Sequence, residues 1–138
     1  MKILGDNKII LKTINYIEDN LDKDLNLDEV AKEVCYSKFH LSRLFSNSVG
    51  CTIYKYIQAR RLTKAAEKLV NTKKPIIKIA YEASYDSQQS FTLAFRQLYL
   101  CTPQKYRAIG VHIPKQRRFA IENALLYKYS VKCGDLAA

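Results

Sequence analysis

Residues 51–56 read CTIYKY and residues 101–106 read CTPQKY, so Cys, Thr, Lys and Tyr recur at an offset of 50. The match runs backwards from there. Leu41, Leu44 and Phe45 correspond to Phe91, Ala94 and Phe95, and Val30, Ala31 and Tyr36 correspond to Ile79, Ala80 and Tyr85 with one residue added between them. Agreement over about 28 positions points to one structural unit present twice rather than to two amphipathic helices alike by chance. A length of 138 residues fits one ordinary domain or two very small ones, and 48% hydrophobic residues suffice for a packed core.

The repeated unit is helical. Four glycines and three prolines are too few for the turns of an all-β protein, and apolar residues recur at helical spacing, which predicts an all-α fold. A first helix is expected over about 8–21, with Ile10, Ile14, Ile17 and Leu21 on one stripe. Asn26 offers an N-cap, with Glu29 completing a capping box before a short second helix that carries Val30, Ala31 and Val34. Ser37 caps a third helix over about 38–49, ended by Gly50. Thr52 opens a long fourth helix reaching about Val70, with Ile53, Ile57, Leu62, Ala65, Ala66 and Leu69 inward, and Pro75 stands where the next helix starts.

A short helix, a tight turn and a second helix have the size and order of a helix-turn-helix, whose second helix enters the DNA major groove. In the first copy, Leu41, Leu44, Phe45 and Ser48 form the stripe suited to the core. Opposite lie Phe39, Ser42, Arg43 and Ser46, preceded by Lys38 and His40. The offset of 50 gives Gln89, Thr92, Leu93 and Arg96 in the second copy, preceded by Ser87 and Gln88. Arginine can donate twice to guanine, glutamine pairs with adenine, and threonine or an aromatic ring packs on a thymine methyl. The expected base-reading set is therefore Lys38, Phe39, Ser42, Arg43, Gln88, Gln89, Thr92 and Arg96. Phe39 and Leu93 are apolar on a wet face, so either they pack on thymine methyls or the helix phase differs there. Ser37, Ser46, Arg60, Arg61, Lys73, Lys74, Lys78, Ser87 and Lys105 are the expected phosphate contacts; plain solvated surface is the alternative for Ser42 and Ser46, for Arg43 and Arg96, and for the Arg60, Arg61 and Lys64 run.

Charge agrees with a polyanionic partner. Residues 1–35 carry five lysines against eight acids, residues 36–107 carry thirteen basic residues against three acids, and residues 108–138 carry five against two. The middle segment's net +10 creates a field that captures nucleic acid, with an anionic membrane surface as the competitor. Apolar runs are only a few residues long and charges thread the N-terminus, so neither a membrane span nor a signal peptide is expected and the reading is cytoplasmic. Cys35, Cys51, Cys101 and Cys133 lie far apart without a CxxC pair, and read as buried small hydrophobes rather than a zinc site or disulfide scaffold. His40 and His112 are isolated, so no metal, cofactor or enzymatic role is expected.

Residues 79–107, IAYEASYDSQQSFTLAFRQLYLCTPQKYR, resemble the signature of the AraC/XylS family of bacterial transcription activators. LNLDEVAKEVCYSKFHLSRLF at 25–45 and QARRLTKAAEKL at 58–69 fit it as well, and the similarity, nearest to the small MarA, SoxS and Rob subgroup, covers about 8–109. The resemblance implies seven helices in two helix-turn-helix subdomains: 1–51 first subdomain, 52–72 linker helix, 73–109 second subdomain, with 110–138 a tail. It further implies a monomer on double-stranded DNA, with two adjacent major-groove segments in an asymmetric site of about 20 base pairs, and recruitment of RNA polymerase. A linker helix of about 19 residues is near 28 Å long, somewhat short of the ~34 Å between successive groove faces, which calls for bent DNA or a tilted reading helix.

This chain departs from the family where a turn glycine is common: Cys35 and Ser84 precede the aromatic of each unit, and Leu100 ends the last reading helix. If those positions need positive φ, each costs of order 1 kcal/mol. Leu93 stands where close relatives often carry arginine. In the tail, Phe119, Glu122, Leu126 and Tyr129 suit one face of a helix near 116–130; a packed helix, a disordered end and the start of a further domain all remain open. Two rival functions also remain: a basic regulator working mainly through protein contacts, and a cysteine-based redox sensor using Cys51 and Cys101.

Overall fold

Five of the helices begin behind a side chain that accepts from one of their first N–H groups, while the one behind Pro75 has no such bond. The computed structural model describes residues 2–120, with side chains from Gly5 onward. Over this range seven helices form and no strand: α1 (Lys2–Asp19), α2 (Leu27–Glu33), α3 (Lys38–Val49), α4 (Ile53–Asn71), α5 (Ile76–Glu82), α6 (Gln88–Tyr99) and α7 (Pro103–Ile109). Ser37 Oγ accepts from the His40 N–H at 3.2 Å, and Ser87 Oγ from the Ser90 N–H at 3.1 Å. Thr52 and Thr102 do the same for Lys55 and Lys105, both at 3.1 Å. The sequence repeat is thus a repeat of caps, 50 residues apart.

Two boundaries differ from the sequence reading. Helix α1 begins at Lys2 rather than near residue 8, with Gly5 inside it, and ends at Asp19, where Asn20 turns back to bond the Tyr16 carbonyl. Of the capping box at α2, only the Asn26 half is made among the described residues, its Oδ1 accepting from the Glu29 N–H at 2.8 Å.

Packing follows the apolar stripes into two cores. The first gathers Ile10, Ile14 and Ile17 of α1, Val30 and Ala31 of α2, Leu41, Phe45 and Val49 of α3, and Ile53, Tyr56 and Ile57 from the start of α4. The second gathers Leu62, Ala65, Ala66 and Leu69 from the rest of α4 with Ile79, Ala80, Phe91, Phe95, Leu98, Tyr99 and Tyr106. Helix α4 is therefore more than a spacer, because one half completes each core. Arg107 locks its far end, donating from Nε to the Leu69 carbonyl (2.9 Å) and from Nη2 to the Lys74 carbonyl (2.7 Å).

The three suspected turn positions do adopt the left-handed conformation: φ is 60° at Cys35, 68° at Ser84 and 64° at Leu100. At the end of α2 the Tyr36 N–H reaches the Ala31 carbonyl and the Cys35 N–H the Lys32 carbonyl; Tyr85 to Ala80 and Ser84 to Tyr81 repeat the pattern after α5. These paired bonds are a Schellman closure, which prefers glycine at the left-handed residue. Leu100 is 74% exposed, so its side chain contributes little packing to offset the backbone strain. Leu100→Gly should raise the stability by about 1 kcal/mol, seen as a higher urea midpoint at unchanged slope. An unchanged or lower midpoint would contradict the strain.

Among the described residues, the chain does not re-enter a helix after α7. Residues 110–120 run irregularly back along α4, so the helix expected near 116–130 is absent over 116–120, and the remainder, with Glu122, Leu126 and Tyr129, lies outside the described residues. Side-chain hydroxyls of the preceding helices hold this stretch by its backbone N–H groups. The Ile113 N–H bonds Tyr106 Oη (2.8 Å), Lys115 bonds Tyr99 Oη (3.4 Å), Gln116 bonds Thr63 Oγ1 (3.1 Å) and Phe119 bonds Tyr56 Oη (3.0 Å). Phe119 thereby enters the first core from beyond the second unit. Burial pushes the Tyr56 and Tyr99 hydroxyls up to about 12, so both stay protonated in this role.

Candidate nucleic-acid interface

Helices α3 and α6 are each 12 residues long, start behind a serine cap and end at a left-handed residue, Gly50 or Leu100. Their buried stripes are Leu41, Phe45 and Val49 in α3, and Phe91, Phe95, Leu98 and Tyr99 in α6. With those faces fixed in the cores, the opposite faces are held outward as rigid surfaces.

On α3, Ser37, Lys38, Phe39, His40 and Arg43 are exposed, and Ser42 and Ser46 are half-buried. Lys38 Nζ lies 5.5 Å from the Phe39 ring centroid and 3.4 Å from an Asp28 carboxylate oxygen, an exposed pair of small energetic weight. His40 stacks on Tyr36, with centroids 4.7 Å apart. On α6, Gln89 and Arg96 are exposed, and Ser87, Gln88 and Thr92 are half-buried. Phe39 and Leu93 are 73% and 63% exposed, so the helix phase is as read and both apolar groups face solvent. Among the described residues, no hydrogen bond or ion pair holds the side chains of Arg43, Gln88, Gln89 or Arg96, so their donors face solvent uncommitted.

The expected phosphate contacts divide. Lys73, Lys78 and Lys105 are exposed with their ammonium groups unpaired among the described residues. Lys74 is half-buried and paired with Glu82 Oε2 at 3.2 Å, sharing that carboxylate with Lys68. The two ammonium groups draw the Glu82 carboxyl below its ordinary value. Arg61 is half-buried and already donates to the carbonyls of Leu21 and Lys23. Arg60 must be corrected: it is buried, not a surface cation. Its Nε and Nη2 reach the two oxygens of Glu18 at 3.0 and 2.7 Å, and Nη1 reaches the Gln116 carbonyl at 2.7 Å. Burial pulls this guanidinium down, but the Glu18 hydrogen bonds and charge outweigh that and raise it overall.

The cysteines also depart from one common role. Cys35 is exposed and free, Cys101 is half-buried and free, and Cys51 is buried. No helix among the described residues is long and apolar enough to cross a membrane.

Two capped helices with outward-facing polar faces, on either side of a shared long helix, define a double helix-turn-helix protein. A family described as a helix-turn-helix domain matches residues 30–109. Over 99 residues the chain is 48% identical to the Transposon Tn10 TetD protein of Escherichia coli, covering 72% of each chain. Over 112 residues it is 46% identical to the right origin-binding protein of Escherichia coli K12, covering 77% of this chain but 39% of that one. A transcriptional regulator from Chromobacterium violaceum with an AraC-type DNA-binding domain superposes with a TM-score of 0.72 at 28% identity, over 78% of this chain and 96% of that one. The chain belongs to the AraC/XylS family of helix-turn-helix transcription regulators, a family of DNA-binding proteins rather than enzymes.

Proposed function

We propose that this regulator binds double-stranded DNA sequence-specifically as a monomer, placing α3 and α6 in two adjacent major-groove segments of an asymmetric site of about 20 base pairs. The observation that carries this reading is the pair of equivalent outward faces: exposed Arg43 on α3, and half-buried Gln88 with exposed Gln89 and Arg96 on α6, their donors unspent within the described fold. Lys38, Phe39, Ser42 and Thr92 complete the base-facing set, and Ser37, Ser46, Ser87, Lys73, Lys78 and Lys105 flank it as phosphate contacts. In this reading residues 1–51 and 73–109 are the two binding subdomains, 52–72 couples them, and 110–138 is a tail whose Phe119 packs into the first core. The protein acts in the cytoplasm as an activator that recruits RNA polymerase.

The test is selection from a randomised duplex pool at two salt concentrations, followed by sequencing. A bipartite motif of about 20 base pairs is the expected result; no enrichment, with affinity that collapses in salt, would leave only non-specific phosphate binding. Within the motif, Arg43→Ala should relax one base position by about 1–3 kcal/mol, whereas Lys73→Ala should weaken all sequences alike. Equal losses for Arg43→Ala on specific and random duplexes would remove it from the base-reading set.

A further inference from the structure

The cap-to-cap match between α3 and α6 gives every reading position a counterpart. Lys38 and Gln88 are the first helical residues, so Arg43 and Leu93 both stand sixth, one turn beyond Phe39 and Gln89. Arg43 presents a guanidinium at that place, and Leu93 presents an isobutyl group that is 63% exposed. It is flanked along its face by Gln89 and Arg96, both exposed, and it belongs to neither core. Packing in the described fold therefore gives no reason for an apolar side chain there. The major groove offers one base-edge feature that an aliphatic group can bury against without leaving a donor or acceptor unpaired, the thymine 5-methyl group.

We infer that Leu93 is a specificity-determining residue that reads a thymine methyl, so that α6 selects an A·T-rich half-site while α3, through Arg43, takes a G·C pair. This rests on the groove reading of α6 proposed above. Gln89, one turn earlier on the same face, suits an adjacent adenine, so two neighbouring positions favour A·T pairs. The two halves of the site therefore differ in base composition although the two units share one fold.

The test starts from the sequences that the full chain selects. Each thymine in the α6 half is replaced singly by deoxyuridine, which removes only the methyl group, and affinities are measured for the wild type and Leu93→Ala. One thymine should lose about fourfold in affinity with the wild type, the ratio expected for one methyl group returned to water, and nothing with Leu93→Ala. Selection with Leu93→Arg should enrich guanine at that position. An equal deoxyuridine penalty in wild type and Leu93→Ala would overturn the assignment. So would a half-site indifferent to every methyl removal while Arg43→Ala still relaxes its own position, and that result would leave the groove reading standing. A pool yielding no motif would overturn both together. Leu93 is solvent-exposed, so both variants are expected to keep the wild-type circular dichroism spectrum and melting profile.

Discussion

Arg60→Ala is expected to cost about 3–5 kcal/mol, a large fraction of what a domain this size has to lose. The Arg60 and Glu18 side chains are only 10% and 6% exposed, and the two make a bidentate pair with a third bond to the Gln116 carbonyl. Removing the guanidinium leaves Glu18 as a buried carboxylate without its partner, and the penalty is the desolvation of that charge rather than the worth of the pair. The joint replacement Glu18→Leu with Arg60→Met should accordingly recover much of the loss, because it removes both charges and keeps the volume. Urea unfolding of the two variants tests this. A loss below about 1 kcal/mol for Arg60→Ala would mean that the pair behaves like a surface salt bridge.

Phe119→Ala should be comparably severe, at about 3–5 kcal/mol, although the residue lies beyond α7 and outside the region matched by the family. Its ring is 4% exposed within the first core, and its N–H is bonded to Tyr56 Oη. Phe119→Leu, which keeps most of the apolar volume, should lose about 1 kcal/mol. A thermal midpoint for Phe119→Ala equal to wild type would show that residues 113–119 do not hold the α1–α3 core together.

The interior of each unit was legible because caps and apolar stripes act within one turn of helix. Asn26, Ser37 and Thr52 open α2, α3 and α4 as their side chains demand, and Gly50 closes α3. Strain at Cys35, Ser84 and Leu100 was legible because a closure that calls for glycine keeps its geometry when another residue occupies it. Arg60 was misread for the opposite reason. From sequence, Arg60, Arg61 and Lys64 look like one wet face, yet α4 buries Tyr56, Ala59, Arg60 and Thr63 on a side with no apolar periodicity of its own. That side is covered by residues more than fifty positions later in the chain. Periodicity reports that a face is buried only when the face is apolar, and here the cover is met by hydroxyls and an ion pair. Glu18 and the Arg107 clamp on α4 were invisible for the same reason, since a polar residue that meets a distant carbonyl or cation looks like any other surface charge.

The Phe119–Tyr56 contact also orders events in time. The bond spans 63 residues, and the first core is complete only once Phe119 is in place. During synthesis the ribosome emits α1 to α4 long before that ring, so the nascent first unit has to wait with an open flank while the whole second unit is made. The half of the protein translated first is therefore the half finished last.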